Sequence, residues 1–173
     1  FFNPVTSAEG PIKGYVKVSG AWDDPELRGD VSVKNGRIEL LTLHDPIFPL
    51  NMDVKFDGKS ATVEGNAIFG TGKFSVKGGL EWDRGAIIAY NGEAHLHAPD
   101  IHSDYYKGSL DADFGLGEVM DVPGIEGNIH IHDALVEFPL TLLSDSGSSS
   151  IPALIKLEVL VGDNVRAKSS SLY

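Results

Sequence analysis

Apolar and polar residues alternate along most of the chain, and the alternation keeps one parity over long stretches. Ile12, Gly14, Val16 and Val18 oppose Lys13, Tyr15, Lys17 and Ser19; Leu27, Val31 and Val33 oppose Arg28, Asp30, Ser32 and Lys34; Leu50, Met52, Val54 and Phe56 oppose Asn51, Asp53 and Lys55. A period of two is that of a strand with one dry side, and no stretch carries the stripe of an amphipathic helix. The pattern continues through Ala61 to Phe69, Phe74 to Trp82, Ala86 to Tyr90, Ala94 to Ala98, Leu110 to Leu116 and Ile155 to Val161. Turn signals at His44-Asp45-Pro46, Asp57-Gly58, Gly70-Thr71-Gly72, Asp83-Arg84-Gly85 and Gly162-Asp163-Asn164 separate these runs, while Asn91-Gly92 bends or reverses the chain. The reading is an all-β chain of about a dozen strands forming a single domain over residues 1–173.

One stretch is written twice. Pro25-Glu-Leu-Arg-Gly-Asp-Val-Ser-Val-Lys-Asn-Gly-Arg-Ile-Glu-Leu40 returns without a gap as Pro123-Gly-Ile-Glu-Gly-Asn-Ile-His-Ile-His-Asp-Ala-Leu-Val-Glu-Phe138, a constant offset of 98 positions. Each copy has a proline entry, an alternating run, a turn signal at Asn35-Gly36 or Asp133-Ala134, and a second run, which predicts a hairpin. Repetition on this scale predicts an array.

Every strand thus has a wet and a dry side, and the dry sides must be buried somewhere. Glycine recurs at inward parity, at Gly14, Gly29, Gly65, Gly78 and Gly127, where strand glycine marks a bend or a close approach. Two architectures satisfy this pattern. One is a closed β-sandwich in which the glycines fill tight spots. The other is a highly curved antiparallel or mixed sheet, creased by the glycines and folded over while remaining open, so that it encloses a hydrophobic groove. Twelve strands about 4.8 Å apart would make that groove roughly 55 to 60 Å long, a geometry suited to acyl chains.

Composition narrows the function classes. The net charge of −11 disfavours nucleic acid and anionic headgroup surfaces, both of which require clustered Lys and Arg. With no cysteine, disulfide and thiolate chemistry are excluded. No apolar run reaches the roughly 18 residues of a membrane-spanning helix. The chain opens on Phe1-Phe2-Asn3-Pro4 and stops at Tyr173 in mid-pattern, which reads as a segment of a longer chain.

The runs Pro25-x-Leu-x-Gly-x-Val-x-Val33, Phe69-Gly-x-Gly-x-Phe74-x-Val-x-Gly78, Tyr106-x-Gly-Ser-Leu-x-Ala-x-Phe114 and Gly162-Asp-Asn-Val-Arg166 resemble, in this order, the carboxy-terminal domain of the TamB family of AsmA-like proteins of diderm bacteria. The resemblance implies a periplasmic β-taco, part of a long protein anchored in the inner membrane and reaching the outer membrane. It implies phospholipid acyl chains as cargo. It also implies an outer-membrane barrel protein of the BamA class (TamA or BamA) as partner, in assembly of outer-membrane proteins such as autotransporters. No catalytic motif or cofactor comes with it. The groove-lining residues implied are Val16, Val18, Val31, Val33, Ile38, Leu40, Met52, Val54, Phe56, Val63, Phe69, Phe74, Val76, Leu80, Leu96, Leu110, Phe114, Ile125, Ile129, Ile131, Val136, Phe138, Ile155, Leu157 and Val159. The acidic balance and the serine-rich loop at 144–150 are not features of the family.

Other chemistry is weakly signalled. His95-x-His97 and His130-x-His132 each put two imidazoles on one strand face, a spacing compatible with a metal given a third ligand, but their parity is outward. Asp23-Asp24, Asp111-x-Asp113 and Asp163-Asn164 are explained by turns and a wet face as well as by calcium. No nucleophile elbow is present, and Gly70-Thr71-Gly72 precedes a strand run rather than a helix, so no enzyme is expected. Trp22 and Trp82 are placed to plug strand ends. A carbohydrate-binding or adhesive sandwich remains the reading of a different class, with a sealed interior as its signature.

Overall fold

The structure, a computed structural model, describes residues 5–41, 43–119, 122–139 and 154–170, with the backbone alone at 118–119, 122–123, 138–139 and 169–170. The serine-rich loop at 144–150 and the side chain of Phe138 lie outside the described residues. Eleven strands follow one another: β1 (Val5–Glu9), β2 (Ile12–Ala21), β3 (Asp24–Leu40), β4 (Ile47–Gly58), β5 (Ser60–Phe69), β6 (Gly72–Asp83), β7 (Ala86–His102), β8 (Tyr106–Val119), β9 (Val122–Pro139), β10 (Leu154–Val161) and β11 (Arg166–Ser170). They form a single mixed sheet, not closed into a barrel, consistent with a curved sheet, in the order β1-β3-β4-β5-β6-β7-β8-β9-β10. β2 also pairs with β3, and β11 also pairs with β9. Pairing is antiparallel except where β10 and β11 lie parallel to β9.

Among the described residues two strands therefore share each outer rank, and eleven strands occupy nine ranks rather than twelve. Eight spacings of about 4.8 Å make the sheet about 38 Å across, shorter than the sequence estimate. The reason is that the doubled stretches are not hairpins. A type I′ turn needs two consecutive left-handed residues. At Asn35-Gly36 only Asn35 is left-handed (φ 54°), and at Asp133-Ala134 only Asp133 is (φ 47°). One such residue inserts a bulge and lets the strand run on. β3 accordingly stays one strand, with register shifts between Val33 and Gly36 and between Gly36 and Ile38. Asn91-Gly92 likewise bends nothing back, and β7 passes through it.

Similar irregularities interrupt the ladders of β4 between Ile47 and Leu50, of β7 between Ala98 and Ile101, and of β8 between Lys107 and Ser109. They lie toward one end of the sheet, near the β5–β6 turn. These shifts, rather than the inward-facing glycines, break the ladder. Beyond them the β3–β4 loop reaches past the β5–β6 turn to the β7–β8 loop. Leu43 bridges Ser103, the His44 amide donates to the His102 carbonyl at 3.1 Å, and His44 Nε2 lies 3.1 Å from Asp104. A small core of Phe69, Ala98 and Ile101 sits beneath, covered by Leu43, Ile47 and Tyr106.

The opposite end is gathered in the same way. β3 and β6 outrun the β4–β5 tip, and the Trp82 indole N–H donates to the Pro25 carbonyl at 2.9 Å. Lys59, at that tip, lies 2.6 Å from Asp24 and 2.8 Å from Asp83. Trp82 plugs this end as expected. Trp22 does not: in the two-residue turn between β2 and β3 it is 100% exposed.

Candidate functional site: an unsealed apolar face

Residues paired directly across a ladder share a face, so the registers state which side chains lie together. One line runs Ile12, Val33, Met52, Gly65, Val76, Ala94, Phe114, Gly127 and Leu157 from rank to rank. The next runs Gly14, Val31, Val54, Val63, Gly78, Gly92, Leu116, Ile125 and Ile155. A third joins Val16, Gly29, Phe56, Ala61, Leu80 and Tyr90. A fourth joins Leu50, Ala67, Phe74, Leu96, Ala112, Ile129 and Val159. Ile38 faces Ile47, Val18 faces Leu27, Leu40 faces Val5, Val136 faces Tyr106, and Ile131 faces Leu110 and Val161. Within these lines, only Tyr90 has a polar side-chain atom.

This face is not sealed. Among the described residues no large side chain is fully buried, and five of the eight buried apolar residues are alanines. A two-layer sandwich would bury large aliphatic residues at its centre; here each strand packs mainly on its lateral neighbours. The closed-sandwich alternative is set aside on that ground. Exposure is greatest at the margins, with Val18 and Ile155 each at 66%. Phe69 departs from the expected lining: it is 7% exposed and belongs to the closed end. Leu96 and Leu110 pack against that same core.

Leu43, Ile47, Ile101 and Tyr106, which cover or form that core, were absent from the expected lining. Leu43 and Ile101 lie in segments whose polar and proline residues read as connections. A register shift in β7 separates Ile101 from the parity of Leu96 and Ala98, so alternation alone could not place it. Ile12 and Leu116 are further members of the face that carried the right parity.

The other face is polar and bears concavities of its own, since a twisted sheet is saddle-shaped. Depressions of about 980, 710 and 570 Å³ lie there, walled by residues such as Lys55, Glu64 and Lys77, then Asn66, Lys73 and Ser75, then Glu126, Asn128 and Lys156. His95, His97 and His132 stand on this face, each beside a carboxylate across the ladder. His95 Nδ1 lies 2.5 Å from Asp113, His97 contacts Asp111, and His132 Nε2 lies 3.0 Å from Ser109 and 3.5 Å from Asp111. The hydrogen bond to Asp113 raises the His95 pKa. Burial works to raise Asp111, yet His97 and His132 bring it below the ordinary carboxylate value. The Asn164 amide and His132 lower Asp133. Among the described residues no group of three or more His, Asp or Glu is arranged to hold a metal ion.

At the gathered end, Lys59 and then the Arg84 amide hold Asp24 below its usual pKa, and Lys59 does the same for Asp83. The bonds to Asp24 and Asp83 raise Lys59. The apolar face itself can donate or accept almost nothing. It can cover hydrocarbon, at about 25 cal/mol per Å² removed from water. Among the described residues no helix is long and apolar enough to cross a membrane. Comparison with family models, with curated proteins and with solved structures finds no match.

Proposed function

We propose that the chain is a segment of a TamB-like periplasmic protein and that its apolar face carries phospholipid acyl chains between the inner and outer membranes. One observation carries the reading: the face is continuous in register across the sheet and, among the described residues, has no second layer over it. A hydrocarbon surface of that extent left bare in water is unfavourable, and acyl chains are ligands that need no polar anchor. An acyl chain spans about half of a ~30 Å hydrocarbon core, so about two fit end to end across the nine ranks. The near absence of polar side chains leaves no strong stopping point, which suits sliding better than tight binding. Headgroups stay at the rim, in water.

Photo-crosslinking side chains at Val31, Phe56 and Ile129 are expected to capture phospholipid in cells, and those at Ser32, Lys55 and Asn128 are not. Equal labelling of the two sets would overturn the assignment. A second reading, scaffolding of outer-membrane barrel strands for a BamA-class partner, is favoured by the edge at β10, where Ile155, Leu157 and Val159 are exposed. Proline introduced along β10 would abolish that activity and leave lipid capture intact.

A further inference from the structure

The repeat extends further in space than in sequence. With the same offset of 98, β1 and β2 map onto β8, and the pairing follows residue for residue. Ile12 faces Val33 as Leu110 faces Ile131; Gly14 faces Val31 as Ala112 faces Ile129; Val16 faces Gly29 as Phe114 faces Gly127; Val18 faces Leu27 as Leu116 faces Ile125. Gly10 (φ 150°) and Gly108 (φ 142°) correspond as well. A Cβ on Gly10 would fall 2.7 Å from the Gly36 Cα, and one on Gly108 would fall 2.5 Å from the equivalent Ala134 Cα. The two units are therefore built alike, close approaches included.

They differ in what lies beyond. The outer edge of β8 is filled by β7, antiparallel, with Gly92 opposite Leu116, Ala94 opposite Phe114, Leu96 opposite Ala112 and Ala98 opposite Leu110. The matching edge of β2 pairs with nothing among the described residues. Its apolar row stands open, with Ile12 at 72% exposure. Its polar row is basic where that of β8 is not: Lys13 and Lys17 stand at the positions of Asp111 and Gly115. Lys17 lies directly opposite Arg28, an unfavourable like-charge pair. Neither lysine joins an ion pair among the described residues. The residue facing Gly115 from β7 is Glu93, so a β7-like strand beside β2 would set a carboxylate against Lys17. The far edge has no such counterpart, because β10 runs parallel to β9 where β4 runs antiparallel to β3.

We infer that the free edge of β2 is an acceptor for one antiparallel strand of β7's design, from a further unit of the same repeat, carrying small or aliphatic residues opposite Ile12 to Val18 and a carboxylate opposite Lys17. The assignment is independent of what the apolar face carries, and its test involves no lipid.

Register is the quantity to measure, and the absence of cysteine makes a disulfide an unambiguous reporter. By the repeat, Tyr15 corresponds to Asp113, which faces His95. A Tyr15→Cys chain is mixed, in a glutathione redox buffer, with peptides of residues 86–102 bearing cysteine at 93, 95 or 97. The peptide with cysteine at 95 is expected to crosslink at least ten-fold faster than the other two. Adding Leu96→Pro to that peptide abolishes the crosslink, and Lys17→Glu in the chain slows it several-fold. Glu93→Lys in the peptide restores the rate for the Lys17→Glu chain. Tyr15 is 67% exposed and Lys17 is exposed too, so thermal melts no lower than the parent's verify folding. Equal rates for the three peptides, indifference to Lys17→Glu, or faster crosslinking of the chain to a second copy of itself would each overturn the assignment.

Discussion

Asn35 and Asp133 stand 98 positions and six ranks apart, yet hold the same left-handed backbone, φ 54° and 47°. Each marks the bulge of a long strand, and each lies opposite a break in the outer strand beside it. β1 and β2 part across Asn35, and β10 and β11 part across Asp133. At the second break the Asp133 amide donates to the Asp163 carbonyl at 2.9 Å, and the Asn164 amide donates to the Asp133 carboxylate at 2.9 Å. The same backbone conformation thus stands beside both breaks, while on the other side β4 crosses Asn35 and β8 crosses Asp133 without ending.

Replacing either residue with a β-branched one should expose the cost of that conformation. Asn35→Val is expected to lose about 1–2 kcal/mol, the penalty of a left-handed Cβ, while Asn35→Gly stays within a few tenths. Asp133→Gly should lose about 1 kcal/mol despite the easier backbone, because the bond to Asn164 goes with it. Urea unfolding of the single and double variants, which should add within about 0.5 kcal/mol at this separation, checks all three.

Trp82→Phe keeps an aromatic ring, smaller than the indole, and removes the donor to the Pro25 carbonyl, for an expected loss of at least about 1 kcal/mol. Phe69→Ala empties the closed end and should cost about 3–5 kcal/mol. A smaller loss at Phe69 than at Trp82, read from denaturant midpoints, would contradict the packing described.

The Lys59 cluster predicts two limbs in stability against pH. Asp24 and Asp83 have depressed values in the fold, so their contribution is present above 3.8 and is lost as pH falls through the folded values below it. Lys59 is raised, so its contribution is present below 10.5 and is lost as pH rises through the folded value above it. Lys59→Met should flatten both limbs in urea melts recorded across the pH range.

His95 acts in the opposite direction to the aspartates, near neutrality. Its raised value means that the pairing with Asp113 stabilises the sheet fully below 6.5 and fades as pH climbs through the folded value above it. Asp113→Asn should remove that slope. The imidazole resonance of His95, followed by NMR, should titrate higher in the parent than in the variant.

Ile129→Asp places a carboxylate in the fourth line of the apolar face, between Ala112 and Val159. A charge there lacks a partner and repels hydrocarbon. Lipid recovered with the folded variant is expected to fall about ten-fold, by mass spectrometry of extracts, whereas Asn128→Asp on the opposite face leaves it unchanged.

Much of this was legible in the alternation. Parity carried from Val16 to Val159 placed side chains on one face, because the side-chain period of a strand is two and antiparallel ladders preserve it. Parity fails at bulges, and Asn-Gly or Asp-Ala is a poor guide there, since one left-handed residue makes a bulge and two make a turn. That is why the doubled stretch read as a hairpin, and why Ile101 went unplaced. The closed end was illegible for another reason: Leu43 meets Ser103 across sixty positions, and a contact between two loops leaves no periodic trace in either.

The two tryptophans give the molecule an optical gauge of its own. Ring 22 is wholly in water and should emit at long wavelength in every state, a fixed background. Any blue-shifted component therefore comes from ring 82, and its loss reports that the tip of β4 and β5 has come uncovered, with no dye attached.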